Sequence, residues 1–298
     1  MKIALLGLDA AGKTSFISTL QKKYSESVDP QPTKGIFRTE LNILGVELNF
    51  WDFGGQEAYR SKYLKKPESL ALVDLVLYLI DITDENRFDE ATEYLSSLIS
   101  QTDLGNVDHS QFVFCLHKAD PDRVMEDDTI LQNISLGTQK LREIVPGAHV
   151  FETSIFSPST ILSATSVGIR QTITKGDVVE NQLKDFAERT GSRAVNLLTP
   201  EALLFGAYSD SQESKLICET LGFSSVEAWE TMALRGNTPV SLTMQLRDGW
   251  AFFLRVPLEK DYLFLVIYAE AEDALGPILT GIPDFAEKIS DVIRAFTV

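Results

Sequence analysis

The sequence predicts an α/β domain with a mostly parallel six-stranded sheet, followed by an α+β domain with an antiparallel five-stranded sheet. From residue 1 to about 174, short apolar runs alternate with amphipathic stretches of helical period, which is typical of a parallel sheet flanked by helices. After Lys175-Gly176, successive strands are framed by helices, which favours an antiparallel sheet. A chain of 298 residues is long enough for two such cores. We therefore predict domains at 1–174 and 175–298.

Each predicted element follows from a local pattern. The first domain has predicted strands at 2–7, 36–44, 46–52, 75–82, 111–117 and 148–153, and helices near 13–23, 86–100, 128–145 and 157–173. The second domain has predicted helices at 177–190, 211–234 and 277–296, and strands at 193–198, 202–208, 239–247, 249–257 and 261–269. A tight turn around Gly45 predicts an edge hairpin, and Asp248-Gly249 predicts another hairpin turn.

The composition excludes several classes of function. The net charge is −16, and the chain has no cluster of Lys and Arg. We therefore expect neither sequence-independent nucleic-acid binding nor docking on anionic lipid, since both depend on positive charge. Lys2 rules out N-myristoylation, so we expect no direct lipid anchor. Two cysteines indicate a reducing compartment, and the predicted localisation is cytoplasmic, with membrane association only through partners.

A phosphate-binding loop follows the first predicted strand. The run from Gly7 to Thr14 has the form Gly-x-x-x-x-Gly-Lys-Thr and opens a helix, as the phosphate-binding mechanism requires. Lys13 would lie between the β- and γ-phosphates, and the Thr14 hydroxyl would coordinate Mg²⁺. The predicted nucleotide-binding residues of this run are Asp9, Ala10, Ala11, Gly12, Lys13, Thr14 and Ser15.

A second motif, Trp51-Asp52-Phe53-Gly54-Gly55-Gln56, ends the third predicted strand. Asp52 is predicted to hold the Mg²⁺ water shell, the Gly55 N–H to sense a γ-phosphate, and Gln56 to orient the attacking water as the catalytic residue. Thr33 is predicted to reach the same Mg²⁺ when a triphosphate is bound. The alternative for Thr33 is a turn residue after a proline.

The base is predicted to be read at the ends of two later strands. Asp120, in His117-Lys118-Ala119-Asp120, can accept hydrogen bonds from guanine N1–H and N2–H₂, which adenine lacks. Lys118 can lay its aliphatic stem over the ring, and His117 is given a supporting role. The backbone of Ser154 and Ile155 could meet guanine O6. The predicted ligands are therefore GTP and GDP with Mg²⁺.

These elements, in this order, resemble the Ras-like small GTPases over residues 1 to about 173. The residues of the phosphate loop and of Trp51-Asp52-x-Gly-Gly-Gln56 resemble those of the Arf proteins in that superfamily. His117-Lys118-x-Asp120 and Thr153-Ser154-Ile155 resemble the Rag/Gtr GTPases instead. Those proteins carry a C-terminal roadblock domain, and the order of elements after residue 175 is similar to a roadblock or longin-like domain.

The resemblance implies a P-loop GTPase that works as a switch with effector, activating and exchange proteins. Residues about 25–37 and 53–67 would be ordered by the γ-phosphate, with Tyr59 and Tyr63 as candidate effector contacts. No arginine precedes Thr33 in 27–32, so slow intrinsic hydrolysis is expected. Three alternatives stay open: a permanently GTP-bound scaffold, an Arf-like trafficking GTPase with an added domain, and an ATP-using enzyme, which Lys118 and Asp120 disfavour.

The second domain is predicted to form a homodimer or a heterodimer, because roadblock domains pair through a helix and an edge strand. The apolar run Trp250-Ala251-Phe252-Phe253-Leu254 and the helix residues Ile217, Leu221 and Trp229 are predicted to supply the apolar surface of such a dimer, and which of them face a partner stays open. The alternative is a rigid appendage. No catalytic group of residues is recognised in this half of the chain.

Overall fold

The computed structural model describes residues 1–21, 33–43, 46–172, 176–258 and 262–294. These residues form two compact units, one built from the elements up to Thr172 and one built from those after it. The predicted domain boundary at 174/175 and the predicted turn around Gly45 lie outside the described residues.

The first unit is the predicted six-stranded sheet with flanking helices. Its strands are β1 Lys2–Leu6, β2 Ile36–Ile43, β3 Val46–Phe53, β4 Leu75–Asp81, β5 Phe112–His117 and β6 His149–Thr153. Its helices are α1 Lys13–Leu20, α2 Glu57–Lys65, α3 Phe88–Gln101, α4 Pro121–Glu126, α5 Asp128–Ile144 and α6 Pro158–Thr172. The sheet order is β2-β3-β1-β4-β5-β6, and the pairs β1–β3, β1–β4, β4–β5 and β5–β6 are parallel. The prediction of a mostly parallel sheet is confirmed.

The register of the central strands brings polar side chains to one edge of the sheet. Asp52 on β3 is paired with Leu5 of β1, Asp81 with His117, and His117 with Thr153. Every residue of β5 is buried, and so is every residue of β4 except Asp81, which is half-buried. Because ligands of parallel α/β sheets bind outside the carboxyl ends of the strands, this edge is the place for a site.

Two helices of the first unit were missing from the sequence prediction. Helix α2 carries the largely polar run EAYRSKYLK and buries only Tyr63, so it has no apolar stripe to predict it. Helix α4 has only six residues, although Pro121 at its first position is a recognised helix-start signal. Short 3₁₀ turns lie at Pro67–Leu70, Glu85–Arg87, Asp103–Asn106, His109–Gln111 and Glu272–Ala274.

The second unit is the predicted five-stranded antiparallel sheet with three helices. Its strands are β7 Ala194–Leu198, β8 Leu204–Ser209, β9 Ser241–Leu246, β10 Gly249–Pro257 and β11 Tyr262–Ala269. Its helices are α7 Gly176–Thr190, α8 Gln212–Leu234 and α9 Leu275–Arg294. The sheet order is β8-β7-β11-β10-β9, with every pair antiparallel. Among the described residues of both units, no helix combines the length and the apolar character needed to span a bilayer.

Both faces of this second sheet are covered, because neighbouring side chains on a strand point to opposite sides. On one side, Phe253 and Phe264 stack at 4.7 Å and contact Trp229 of α8 at 5.7 and 5.3 Å between ring centroids. On the other side, Phe252 belongs to a buried cluster that includes Phe186 of α7 and Phe285 of α9.

The predicted dimer surface is wrong in part. The run from Trp250 to Leu254 lies in β10, which is enclosed between β11 and β9, and four of its five side chains are buried. Trp229 is also buried, against Phe253 and Phe264. A locally apolar run does not reveal the spatial order of the strands, and the edge strand on this side is β9.

The Phe264–Trp229 contact generates a stability prediction. Phe264→Ala removes a fully buried ring, so we expect it to lower the free energy of unfolding of the second unit by about 3–5 kcal/mol. Urea denaturation followed by tryptophan fluorescence measures this change, since Trp229 and Trp250 both lie in that unit. Leu279→Ala is the control, because Leu279 is half exposed on α9 and its loss should cost within about 0.5 kcal/mol. Equal losses for the two variants would contradict this packing.

Candidate functional site

The phosphate loop joins β1 to α1 in a conformation that only a small backbone allows. Gly12 precedes α1 in the left-handed region at φ 88°, and a Cβ there would lie 2.4 Å from Cδ2 of His117. A larger residue is therefore excluded by backbone strain and by His117 together. Asp9 and Ala10 are exposed on the loop, whereas Ala11 and Ser15 are buried beneath it.

Lys13 is a buried cation held over the loop. Its ammonium group donates to the carbonyl oxygens of Gly7 at 3.1 Å and Leu8 at 2.7 Å. Burial lowers the pKa of Lys13 to about 8, and the nearby carboxylates of Asp52 and Asp9 oppose that effect. Because a buried charge is costly without an opposite charge in contact, the site favours binding of an anion beside Lys13.

Three oxygen ligands predicted for Mg²⁺ meet beside Lys13. The Thr14 and Thr33 hydroxyls each donate to Oδ2 of Asp52 at 2.8 Å, and the two hydroxyl oxygens lie 2.8 Å apart. Within the described part of the chain, Oδ1 of the buried Asp52 has no hydrogen-bond partner. Neighbouring ligands of an octahedral Mg²⁺ lie about 3 Å apart, so this all-oxygen group fits that cation.

The second motif packs directly on the phosphate loop. A Cβ on Gly55 would lie 2.3 Å from the backbone N of Asp9, so this glycine permits the closest approach of the two segments. Gln56 follows at the start of α2 with its side chain exposed, and its carbonyl accepts from the N–H groups of Tyr59 and Arg60. Gln56 therefore directly follows the glycine that packs against Asp9.

Tyr63 does not provide the predicted effector contact. Its ring is buried against Phe53, and its hydroxyl donates to the Gly35 carbonyl at 2.9 Å. Gly35 also accepts from the Gly54 N–H at 2.8 Å, so both predicted switch segments are tied together at one carbonyl. Tyr59 is half-buried, and residues 25–32 of the first segment lie outside the described residues.

The predicted base-reading residues form a pre-arranged group at the ends of β5 and β6. The Ser154 hydroxyl donates to Oδ1 of Asp120 at 2.6 Å and fixes the direction of that carboxylate. Lys118 has a left-handed backbone at φ 66°, and its ammonium group donates to Oδ2 of Asp81 at 2.5 Å. Such strain in a non-glycine residue is typical of functional loops.

His117 links the base-reading loop to the phosphate loop. It is buried, its Nδ1 lies 2.9 Å from the Thr153 hydroxyl, and its ring packs edge-on to Phe16 at 5.9 Å. Burial, assisted by the charge of Lys118, lowers the pKa of His117 to about 4, so the ring is neutral at physiological pH. The His117 ring also lies against Gly12, so this histidine fills the space between the two loops.

One predicted backbone donor is already occupied. The Ser154 N–H donates to the Thr160 hydroxyl at 3.1 Å, so Ser154 contributes to the site through its side chain. Ile155, the other residue predicted to meet guanine O6 through its backbone, follows Ser154 just beyond β6.

Sequence reasoning missed four charged residues at this edge of the sheet. Asp81 anchors Lys118, and Arg87 contacts Asp9 of the phosphate loop with an N–O distance of 2.7 Å. Glu90 binds both Arg87 and Arg60. Asp81 was detectable, because it ends a buried strand in the same way as Asp52 and His117. Arg87, Glu90 and Arg60 have no local signal, since their pairing depends on how α2 and α3 pack.

The fold and the site together define a P-loop nucleotide-binding unit of the small-GTPase type. The sequence model of the ADP-ribosylation factor family matches residues 1–168, which is more than half of the chain. The chain belongs to the ADP-ribosylation factor family.

The chain is similar to curated relatives over part of its length. It is 33% identical over 111 residues to ADP-ribosylation factor-like protein 3 of Saccharomyces cerevisiae, covering 35% of this chain and 54% of the relative. It is 35% identical over 108 residues to ADP-ribosylation factor-like protein 3 of Caenorhabditis elegans, covering 36% and 56%. The chain thus spans about half the length of these relatives.

The comparison with solved structures includes that of the Arl6 BBS3 small GTPase from Trypanosoma brucei with the bound nucleotide analogue GppNp. The sequences are 15% identical, and the TM-score is 0.46. The alignment covers 58% of this chain and 96% of the other.

The lowered pKa of Lys13 generates a prediction about pH. Phosphate binding needs the charged ammonium group, so above pH 8 binding must take up a proton and becomes weaker. We expect the affinity for GDP and Mg²⁺ to fall about tenfold between pH 7 and pH 9. Competition with a fluorescent nucleotide measures it. The control is Lys13→Met, which should bind GDP weakly at every pH and so reveals any effect of guanine ionisation. If the affinity of the unaltered protein does not change between pH 7 and pH 9, Lys13 stays charged and the prediction is wrong.

Proposed function

We propose that this chain is a GTP-binding switch that uses Mg²⁺ and hydrolyses GTP slowly. The observation that carries the proposal is the meeting of Thr14, Thr33 and Asp52 beside the buried Lys13. In this role Lys13 binds the β- and γ-phosphates, and the three oxygen groups hold Mg²⁺, which neutralises charge on the phosphates. Gln56 orients the attacking water.

The proposed nucleotide is GTP because of the group at the ends of β5 and β6. Asp120 presents a carboxylate whose direction is fixed by Ser154, and guanine offers two neighbouring donors to it. Adenine would place an acceptor against the same carboxylate and leave it partly unpaired, which is costly in a half-closed site. Lys118, anchored by Asp81, covers the ring with its stem.

Slow intrinsic hydrolysis follows from the lack of an unpaired arginine near the phosphates among the described residues. The sequence has no arginine in 27–32, the stretch before Thr33. Arg87 and Arg60, which lie nearest the loop among the described arginines of this site, are both paired with carboxylates. An activating partner would therefore supply the missing positive charge, and a separate exchange factor would release GDP.

The switch segments would signal the nucleotide state to effectors. The Thr33 hydroxyl donates to Asp52, and the Gly35 carbonyl accepts hydrogen bonds from Gly54 and Tyr63 of the second segment. Loss of the γ-phosphate would release Thr33 and Gly55 together, because these contacts join the two segments. Phe37, 59% exposed beside Gly35, is the aromatic side chain best placed for an effector.

Beyond the family match, we propose a relation to the Rag/Gtr GTPases, with a GTPase domain at 1–174 and a roadblock-like domain at 175–298. Two features support this: the histidine at position 117, and the order of elements in the second unit, which is helix, two strands, helix, three strands and helix. The second domain would form a dimer, either with itself or with a sister chain, in a signalling or trafficking assembly.

The proposed dimer surface is α8 with the edge strand β9. Among the described strands, β9 is paired only with β10, and its Leu242, Met244 and Leu246 are half-buried. The end of α8 exposes Leu234 at 89% and Met232 at 38%. An unpaired strand edge and exposed apolar side chains are both features through which two protein surfaces join.

The enzymatic proposal is tested by single-turnover hydrolysis in the full chain. We expect GTP and GDP to bind and ATP not to compete, with bound GTP hydrolysed at about 10⁻⁴ to 10⁻³ per second. Gln56→Leu should slow this rate at least about tenfold without weakening GTP binding, since Gln56 acts on the water. Retention of GTP without turnover would favour the permanently loaded scaffold, and fast turnover without a partner would contradict the missing cation.

The dimer proposal is tested by light scattering. We expect the purified chain to have twice its monomer mass of 33.1 kDa and the double variant Met232→Asp with Leu234→Asp to be monomeric. Met125→Asp is the matched control, because Met125 is 86% exposed in the first unit. A monomeric unaltered protein would defeat self-association and point to a sister chain.

A further inference from the structure

Asp9 of the phosphate loop is connected to Gln56 through side chains that the proposed mechanism has not used. Arg87 donates to the Asp9 carboxylate at 2.7 Å and to the Asp9 carbonyl at 3.2 Å. The third guanidinium nitrogen, Nε of Arg87, donates to Oε2 of Glu90 at 3.0 Å. The Arg87 side chain therefore connects the start of α3 to both the backbone and the side chain of Asp9 in the phosphate loop.

Glu90 divides its two oxygens between two arginines. Oε2 accepts from Arg87, and Oε1 accepts from Arg60 of α2. The hydrogen bonds from Arg87 and Arg60 hold the pKa of Glu90 below its usual value, so it is ionised. A carboxylate shared by two arginines makes each pair depend on the other, unlike an isolated surface ion pair.

Arg60 carries the connection to the catalytic residue. Its side chain is only 11% exposed, and its guanidinium lies 5.2 Å from the centre of the Tyr94 ring. Its backbone N–H donates to the Gln56 carbonyl at 3.0 Å. Gln56 thus follows Gly55, which packs against Asp9, and its carbonyl is bonded to Arg60. The contacts from Asp9 through Arg87, Glu90 and Arg60 therefore lead back to Gln56.

We propose that Arg87, Glu90 and Arg60 are positioning residues that hold Gln56 at the γ-phosphate end of the loop. This inference rests on the proposed function of Gln56. The three residues touch neither water nor phosphate in this role; they fix α2, and α2 fixes the residue that orients the water. A small displacement of a catalytic group is enough to slow a reaction strongly, even when each ion pair adds little to stability.

The test is a double-variant cycle on single-turnover GTP hydrolysis by the full chain. Glu90→Gln and Arg60→Gln should each lower the rate constant about tenfold, while GTP affinity stays within about threefold. Because both changes break the same Arg60–Glu90 pair, the double variant should be about tenfold slower, like each single variant, and not a hundredfold slower. Arg60→Lys keeps the charge and should recover most of the rate.

Asp89→Asn is the matched control. Asp89 precedes Glu90 on the same helical turn, and its ion pair with Lys140 at 2.7 Å touches neither the phosphate loop nor α2. This variant should hydrolyse GTP at the unaltered rate. If Asp89→Asn lowers the rate constant as much as Glu90→Gln does, the effect is a general one of α3 and the inference is overturned. An unaltered rate in Glu90→Gln would also overturn it, as would a double variant whose loss is the product of the two single losses.

A second readout separates positioning from loss of folding. With bound Mg²⁺ and GppNp, amide hydrogen exchange over Glu57–Lys65 should be faster in Glu90→Gln than in the unaltered protein, while exchange in β4 and β5 stays the same. Unchanged exchange in α2 would contradict the proposal. If the unaltered chain itself neither binds nor hydrolyses GTP, the proposed function fails; if it does both and the variants match it, only this inference fails.

Discussion

The first unit depends on one constraint: oxygen atoms from three separate segments must meet at a buried lysine. Thr14 lies in the first turn of α1, Asp52 is the last but one residue of β3, and Thr33 lies before β2. Their oxygen atoms are 2.8 Å apart. A fully buried carboxylate with one oxygen unpartnered among the described residues is unfavourable unless a cation joins it. The site is therefore built for a ligand that brings both positive and negative charge, as a magnesium nucleotide does.

The packing around this point makes the phosphate end and the base end of the site depend on each other. His117 fills the space between Gly12 and Thr153, so the loop that cradles phosphate rests on the strand that precedes the base-reading residues. Gly55 meets the same loop from the other side. Since these contacts are close, displacement of one segment must move its neighbours, and this provides the physical basis for a switch.

The sequence predicted both sheets, and it named residues that the structure brings together at one edge of the first sheet, because both have local signals. Apolar runs located the strands within a residue or two, and strand-end motifs named Asp52, His117 and Asp120. The residues it missed have no such signal: α2 is polar along its length, and Arg87 meets Asp9 only through the packing of α3. The dimer surface was misplaced for the same reason, since strand order decides that Trp250–Leu254 is enclosed.

The account is tested most directly by the affinity for Mg²⁺ in two nucleotide states. Titration calorimetry would compare Mg²⁺ binding to the GppNp-loaded and GDP-loaded chain, in the unaltered protein and in Thr33→Val. If Thr33 joins Thr14 and Asp52 around the cation only with a triphosphate, the substitution weakens Mg²⁺ binding about tenfold with GppNp and leaves it unchanged with GDP. Equal Mg²⁺ affinities of the two proteins with GppNp would contradict the central claim.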